Sequence, residues 1–203
     1  MSEDTNPQPS TSDKIKGGGI LAICAFILYS CVGGGETFQD NKDKSLKEFY
    51  QLTLTQRHDI IDDYVDEHDL SKEKSKGFYS CVSQMLHTKS TDLTLDTVTG
   101  WCQTDYDQNK LTGYVNFDEF EKGFSAWDGS FRELESAIKN AMNDPDSYEH
   151  VKTTYRLVLH GTDTPKAIVS TEFRGKNGFG GIVKNNATAS VNISNGKIIE
   201  FIQ

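Results

Sequence analysis

Val151-Lys-Thr-Thr-Tyr-Arg-Leu-Val-Leu-His160 and Ala167-Ile-Val-Ser-Thr-Glu-Phe173 alternate their apolar side chains with a period of two and are rich in β-branched and aromatic residues. That pattern predicts strands. Ile182 to Asn192 and Lys197 to Ile202 repeat it, and turn chemistry separates the four runs at Gly161-Thr-Asp-Thr-Pro165, Lys176-Asn-Gly-Phe-Gly-Gly181 and Ser194-Asn-Gly196. The Asn-Gly pairs at 177–178 and 195–196 are hairpin signals. Four strands joined by short turns predict an antiparallel meander. Just upstream, Ser130-Phe-Arg-Glu133 reads as a capping box. It opens a helix that carries Phe131, Leu134, Ile138 and Met142 on one face and stops near Asp144-Pro145. The reading is an α+β unit, a helix packed on a four-stranded antiparallel sheet.

Before residue 130 the apolar period is helical. Leu46, Phe49, Tyr50 and Leu52 mark a first short helix, and Ile60, Ile61, Tyr64, Val65 and His68 form the packed face of a second. Ser71 is placed to cap a third, with Phe78, Cys81, Val82, Met85 and Leu86 on one side. Thr94 is placed to cap a fourth, with Val98, Trp101 and Cys102. Phe117, Phe120, Phe124 and Trp127 continue the helical spacing. Charge divides along the same line: residues 36–149 hold 24 acids against 12 bases, and residues 150–203 hold 3 against 7. Three segments are therefore expected: 1–35, a helical lobe over 36–129, and a small α+β lobe over 130–203. At this size the last lobe would lean on the helical one.

Residues 20–32 are apolar except for Ser30, follow Lys14 and Lys16, and precede three glycines. The run is short for a membrane span and suits a signal. Leu28-Tyr29-Ser30-Cys31 resembles the bacterial lipobox, which implies cleavage before Cys31 and lipidation of that cysteine. An uncleaved helix is the alternative. Either anchor makes the N-terminus the membrane attachment and places the rest of the chain on the outer, periplasmic side of a cell envelope. Cys24 and Cys31 belong to this segment, so the exported part keeps Cys81 and Cys102, which an oxidising compartment would join.

Asp105-Tyr-Asp107-Gln-Asn109 followed by Gly113-Tyr-Val-Asn-Phe-Asp-Glu119 resembles an EF-hand calcium loop, with Asp105, Asp107, Asn109 and Glu119 as its oxygen ligands. Lys110-Leu111-Thr112 lengthen it beyond the twelve-residue register, and the expectation is an acidic inter-helix loop, with no cofactor for the protein. His58, Asp62 and Asp66 recur at four-residue steps, a spacing that suits a solvated face. Arg174 and Lys176, among four glycines, could present cations and backbone amides to an anion or a partner surface. The sequence contains no Gly-x-Ser-x-Gly elbow and no His-Glu-x-x-His. The formal charge of −9 opposes nucleic-acid binding. The reading is a non-catalytic, membrane-anchored accessory protein with a protein partner in the envelope. A calcium-responsive module and an envelope enzyme stand as its rivals.

Overall fold

The computed structural model describes residues 36–161 and 164–202, apart from the side chains of 72–75. Residues 36–203 form one compact unit. Seven α-helices are described: α1 (Phe38–Asn41), α2 (Leu46–Tyr50), α3 (Leu54–Glu67), α4 (Lys72–Thr88), α5 (Leu95–Asp107), α6 (Asp118–Lys122) and α7 (Arg132–Ala141). Strands β1 (Glu149–Val158), β2 (Lys166–Lys176), β3 (Ile182–Asn192) and β4 (Ile198–Ile202) follow in a single antiparallel sheet of order β1-β2-β3-β4. The chain is α+β, with the expected meander. No helix among the described residues is long and apolar enough to cross a membrane.

The early helices are fixed by their caps. Ser45 with Glu48 and Thr53 with Gln56 form reciprocal capping boxes that start α2 and α3, each satisfying backbone N–H groups the helix leaves open. Thr94 accepts from the Thr97 amide at the start of α5, whereas Ser71 occupies the N-cap position of α4 without a side-chain bond. Between these helices an antiparallel bridge joins Ser45 and Thr94, with Leu46 N donating to Leu93 O (2.8 Å) and Leu95 N to Lys44 O (2.9 Å). The bridge ties α2 to the start of α5. About two turns further along α5, Cys102 forms a disulfide with Cys81 of α4, with Cα atoms 5.9 Å apart and no exposure of either residue.

Two apolar cores lie side by side. The first gathers Phe49, Ile60, Ile61, Phe78, Val82, Leu95 and Val98, and ends at Leu111. The second begins at Val115, earlier than the charge boundary suggested, and unites Phe117, Phe120, Phe131 and Leu134 with Val169, Phe173 and Val191 of the sheet. Phe117 and Phe120 thus belong to the sheet side. The helical spacing does not run on through Trp127: α6 ends at Lys122, Phe124 bridges to Phe131, and Trp127 stands in the turn between them at 97 % exposure. The capping box expected at Ser130 does not form. Ser130 O accepts from Ser125 N in that turn, the Ser130 hydroxyl is committed to Asp128 and Glu135, and the helix starts two residues later at Arg132.

The sheet's register puts Ala167, Val169, Thr171 and Phe173 of β2 opposite Val191, Ala189, Ala187 and Asn185 of β3, on the face that α7 covers. The other face carries Thr154, Ser170 and Thr188 in a row, with Ser170 and Thr188 hydroxyls 2.7 Å apart. The β2–β3 turn is wider than an Asn-Gly hairpin. Asn177 Oδ1 accepts from the amides of Phe179 and Gly181, and positive φ falls at Gly180. In the β3–β4 turn, Gly196 has φ +67°, and a Cβ there would sit 2.6 Å from the Glu119 carbonyl oxygen. Gly196→Ala is expected to lose roughly 2–3 kcal/mol, from left-handed strain and a backbone clash together. Urea titration measures it, and a loss under about 0.5 kcal/mol would mean the turn does not pack on α6.

Candidate functional site

Polar side chains from three helices meet where the two cores touch. Arg57 and His58 come from α3. Tyr79, Ser83 and His87 recur at four-residue steps along α4, so one face of that helix presents all three. Asp118 and Glu121 lie three apart on α6, preceded by Asn116.

Glu121 is the hub of the buried half. Its Oε1 accepts from His87 Nε2 (2.8 Å) and Arg57 Nη1 (3.1 Å), and its Oε2 pairs with Arg57 Nη2. Arg57 is 3 % exposed, lies over the Tyr50 ring at 5.2 Å, and its Nε is buried without a hydrogen-bond partner. The His87 ring stacks on Phe117 at 4.3 Å. A bidentate guanidinium–carboxylate pair closed by an imidazole satisfies nearly every donor and acceptor it buries.

Asp118 organises the outer half. Its Oδ2 accepts from His58 Nε2 (2.7 Å) and Asn116 Nδ2 (3.2 Å), its Oδ1 from the Tyr79 hydroxyl (3.0 Å), and the His58 ring stacks on Tyr79 at 3.7 Å. Ser83 Oγ accepts from the Phe117 amide and donates to Asn116 Oδ1, which in turn accepts from the Asp118 amide. Burial and the adjacent carboxylate push the Tyr79 phenol far above its ordinary range. For Glu121 and Asp118, burial acts upward on the pKa. The hydrogen bonds from His87 and Arg57, and from His58, Asn116 and Tyr79, outweigh it and hold both carboxyls below their ordinary values.

A depressed folded-state pKa means stability that is present above the unfolded value and lost as pH falls through the folded one. The junction is therefore expected to weaken below about pH 4, the ordinary carboxylate range. Glu121→Gln should flatten that acid limb of a stability–pH curve, and an unchanged limb would locate the acid sensitivity elsewhere.

Chemically the cluster is a clamp. His58, with a 40 % exposed side chain, is its most accessible member, and no hydroxyl or thiol nucleophile hydrogen-bonds to that ring among the described residues. The signal that could have found it in the sequence is the polar stripe Tyr79, Ser83, His87 on the core-facing side of a helix, a placement that demands partners.

The residues singled out in the sequence lie elsewhere. Cys31 is outside the described residues. Cys81 and Cys102 are joined. The calcium-loop candidates do not converge. The Asp105 carboxylate takes the Tyr114 hydroxyl at 2.5 Å, Asp107 takes Gln103 (3.1 Å), and Glu119 pairs with Lys122 (2.6 Å) on the exposed side of α6. The cause is the surplus Lys110-Leu111-Thr112: Leu111 enters the first core on a 3-10 turn, while α6 joins the second, so the two ends of the loop belong to different cores. No group of three or more His, Cys, Asp or Glu side chains among the described residues is placed to hold a metal ion. His58 is hydrogen-bonded to Asp118, so its Nε2 is committed across to α6. Arg174 pairs with Glu149 (3.3 Å) and Lys176 with Asp144 (3.1 Å), and Asn177 takes the turn amides that an anion would need.

A groove of about 430 Å³ lies between α7 and the sheet face it covers, apolar for the most part, with Lys176 at its margin. Neither composition nor periodicity pointed to it. Compared with protein families, curated proteins and solved structures, the chain matches none.

Proposed function

We propose that this chain is a non-catalytic accessory protein of a bacterial cell envelope, tethered to a membrane through residues 1–35 and holding residues 36–203 outside the cytoplasm, where it binds another envelope protein. The observation that carries the reading is the fully buried Cys81–Cys102 disulfide, because such bonds persist in oxidising compartments and are rare in the cytosol. The lipobox-like Leu28-Tyr-Ser-Cys31 after Lys14 and Lys16 supports it from the sequence side. Large apolar side chains left in water on the β2–β3 turn, Phe179 fully and Ile182 at 72 %, support a binding role.

The test is the mass of the full-length chain recovered from bacterial membranes. The expected result is a mature N-terminus at Cys31 carrying an acyl mass. An intact Met1 on a membrane-bound chain replaces the lipid by a helix and keeps the tether. An intact Met1 on a chain found in the cytosol overturns the proposal.

A further inference from the structure

We infer that the β3 edge at residues 182–187, with the groove beside it, binds an extended acidic-apolar peptide segment of a partner protein by strand addition. β4 pairs with β3 only as far as Ile202 opposite Thr188. Residues 182–187 therefore have β2 on one side and no strand on the other among the described residues. In an antiparallel ladder alternate backbone N–H and C=O groups point to each side, so this stretch presents a row of them outward. Water meets these groups in the free protein, and another extended backbone can replace it along the whole row.

The groove opens at the same place. Its sheet-side walls are Phe173 and Ala187, Phe201 closes the β4 end, and Ala137 and Ala141 of α7 leave the space unfilled. A strand laid antiparallel to β3 in line with β4 would send every second side chain into this space, and the volume suits one bulky aliphatic or aromatic residue. The side chains between would face the other side of the sheet, where Lys184 stands.

Charge selects the partner. Lys176 is the charged residue on the groove wall, and no acid lines it. The ion pairs of Lys184 with Glu172 and of Lys176 with Asp144 are both well exposed to solvent, and pairs of that kind are weak enough to exchange for a ligand carboxylate. A second copy of the chain fits badly: pairing two β3 edges about a two-fold axis would set two Lys184 side chains opposite or diagonal to each other on one face.

The inference rests on the binding role proposed above but not on the compartment, so it can fail while the mass measurement succeeds. The probe is a displayed library of random ten-residue peptides selected on the full-length chain. The expected consensus alternates an apolar residue with Asp or Glu, and the selected peptide should lose at least about tenfold in affinity on N-methylation of alternate amides and against Ala187→Trp, which fills the groove. Lys184→Glu, on the exposed face, should turn the preference from acidic to basic peptides with the fold intact. Recovery of no binder tighter than about 1 mM overturns the inference. So does a binder indifferent to N-methylation, which would make the groove a site for small apolar molecules, or one indifferent to both Ala187→Trp and Lys184→Glu.

Discussion

Arg57→Met is expected to cost about 3–5 kcal/mol of folding stability, the largest effect of any single polar substitution in the described residues. The guanidinium is 3 % exposed and the Glu121 carboxylate 12 %, so removing the cation strands a buried anion with His87 as its remaining partner. The cost arises from that stranded charge more than from the lost attraction. Replacing both members, Arg57→Met with Glu121→Met, should recover part of it, because the stranded charge is gone while the buried His87 imidazole loses its carboxylate partner. Equilibrium unfolding in urea measures both variants against the parent. A single variant within about 1 kcal/mol of the parent would mean that water reaches the pair and that the two cores are not clamped there.

The second large effect belongs to the cystine. Cys81→Ala with Cys102→Ala opens a covalent loop spanning a sequence separation of 21 residues between α4 and α5, worth about 3 kcal/mol in the chain-entropy account. Both positions are fully buried, so the paired alanines also leave a small cavity, which adds to the loss. Reduction without mutation should give the entropic part alone. The two cores should respond unequally: amide exchange should rise in α4 and α5 more than in the sheet, whose core contains neither cysteine. Equal loosening of both would show that the helical half does not open independently.

Much of the fold was legible because local signals agreed with the tertiary outcome. The four strands, their antiparallel order and the helix before them follow from a period of two and from turn residues that mean the same thing in any context. The capping boxes at Ser45 and Thr53 are equally local, but the reading of the sequence did not include them. What misled was local chemistry overruled from a distance. Ser130-Phe-Arg-Glu133 has the letters of a capping box, but the Phe124–Phe131 bridge holds Ser130 in a turn. Asn177-Gly178 has the letters of a two-residue hairpin, yet the Asn177 side chain organises a five-residue turn and moves the left-handed position to Gly180.

The functional surfaces were harder to read for the same reason. Arg57, His87 and Glu121 are far apart in sequence, and each alone looks like an ordinary helix residue. Their partnership depends on α6 turning toward the sheet core, which is set by Leu111 and Phe117 entering different cores. The groove depends on small residues, Ala137, Ala141 and Ala187, whose effect is the space they do not fill. Ligand letters at Asp105, Asp107 and Glu119 were visible but separated by the same divide.

Under the proposal, residues 36–203 work in an oxidising compartment as a stapled binding unit, and the redox state of Cys81 and Cys102 in the native cell decides it. Acid quenching of intact bacteria followed by alkylation before and after reduction reads that state for the full-length chain. Cys81 and Cys102 are expected to take label only after reduction. Labelling of both before reduction would contradict it.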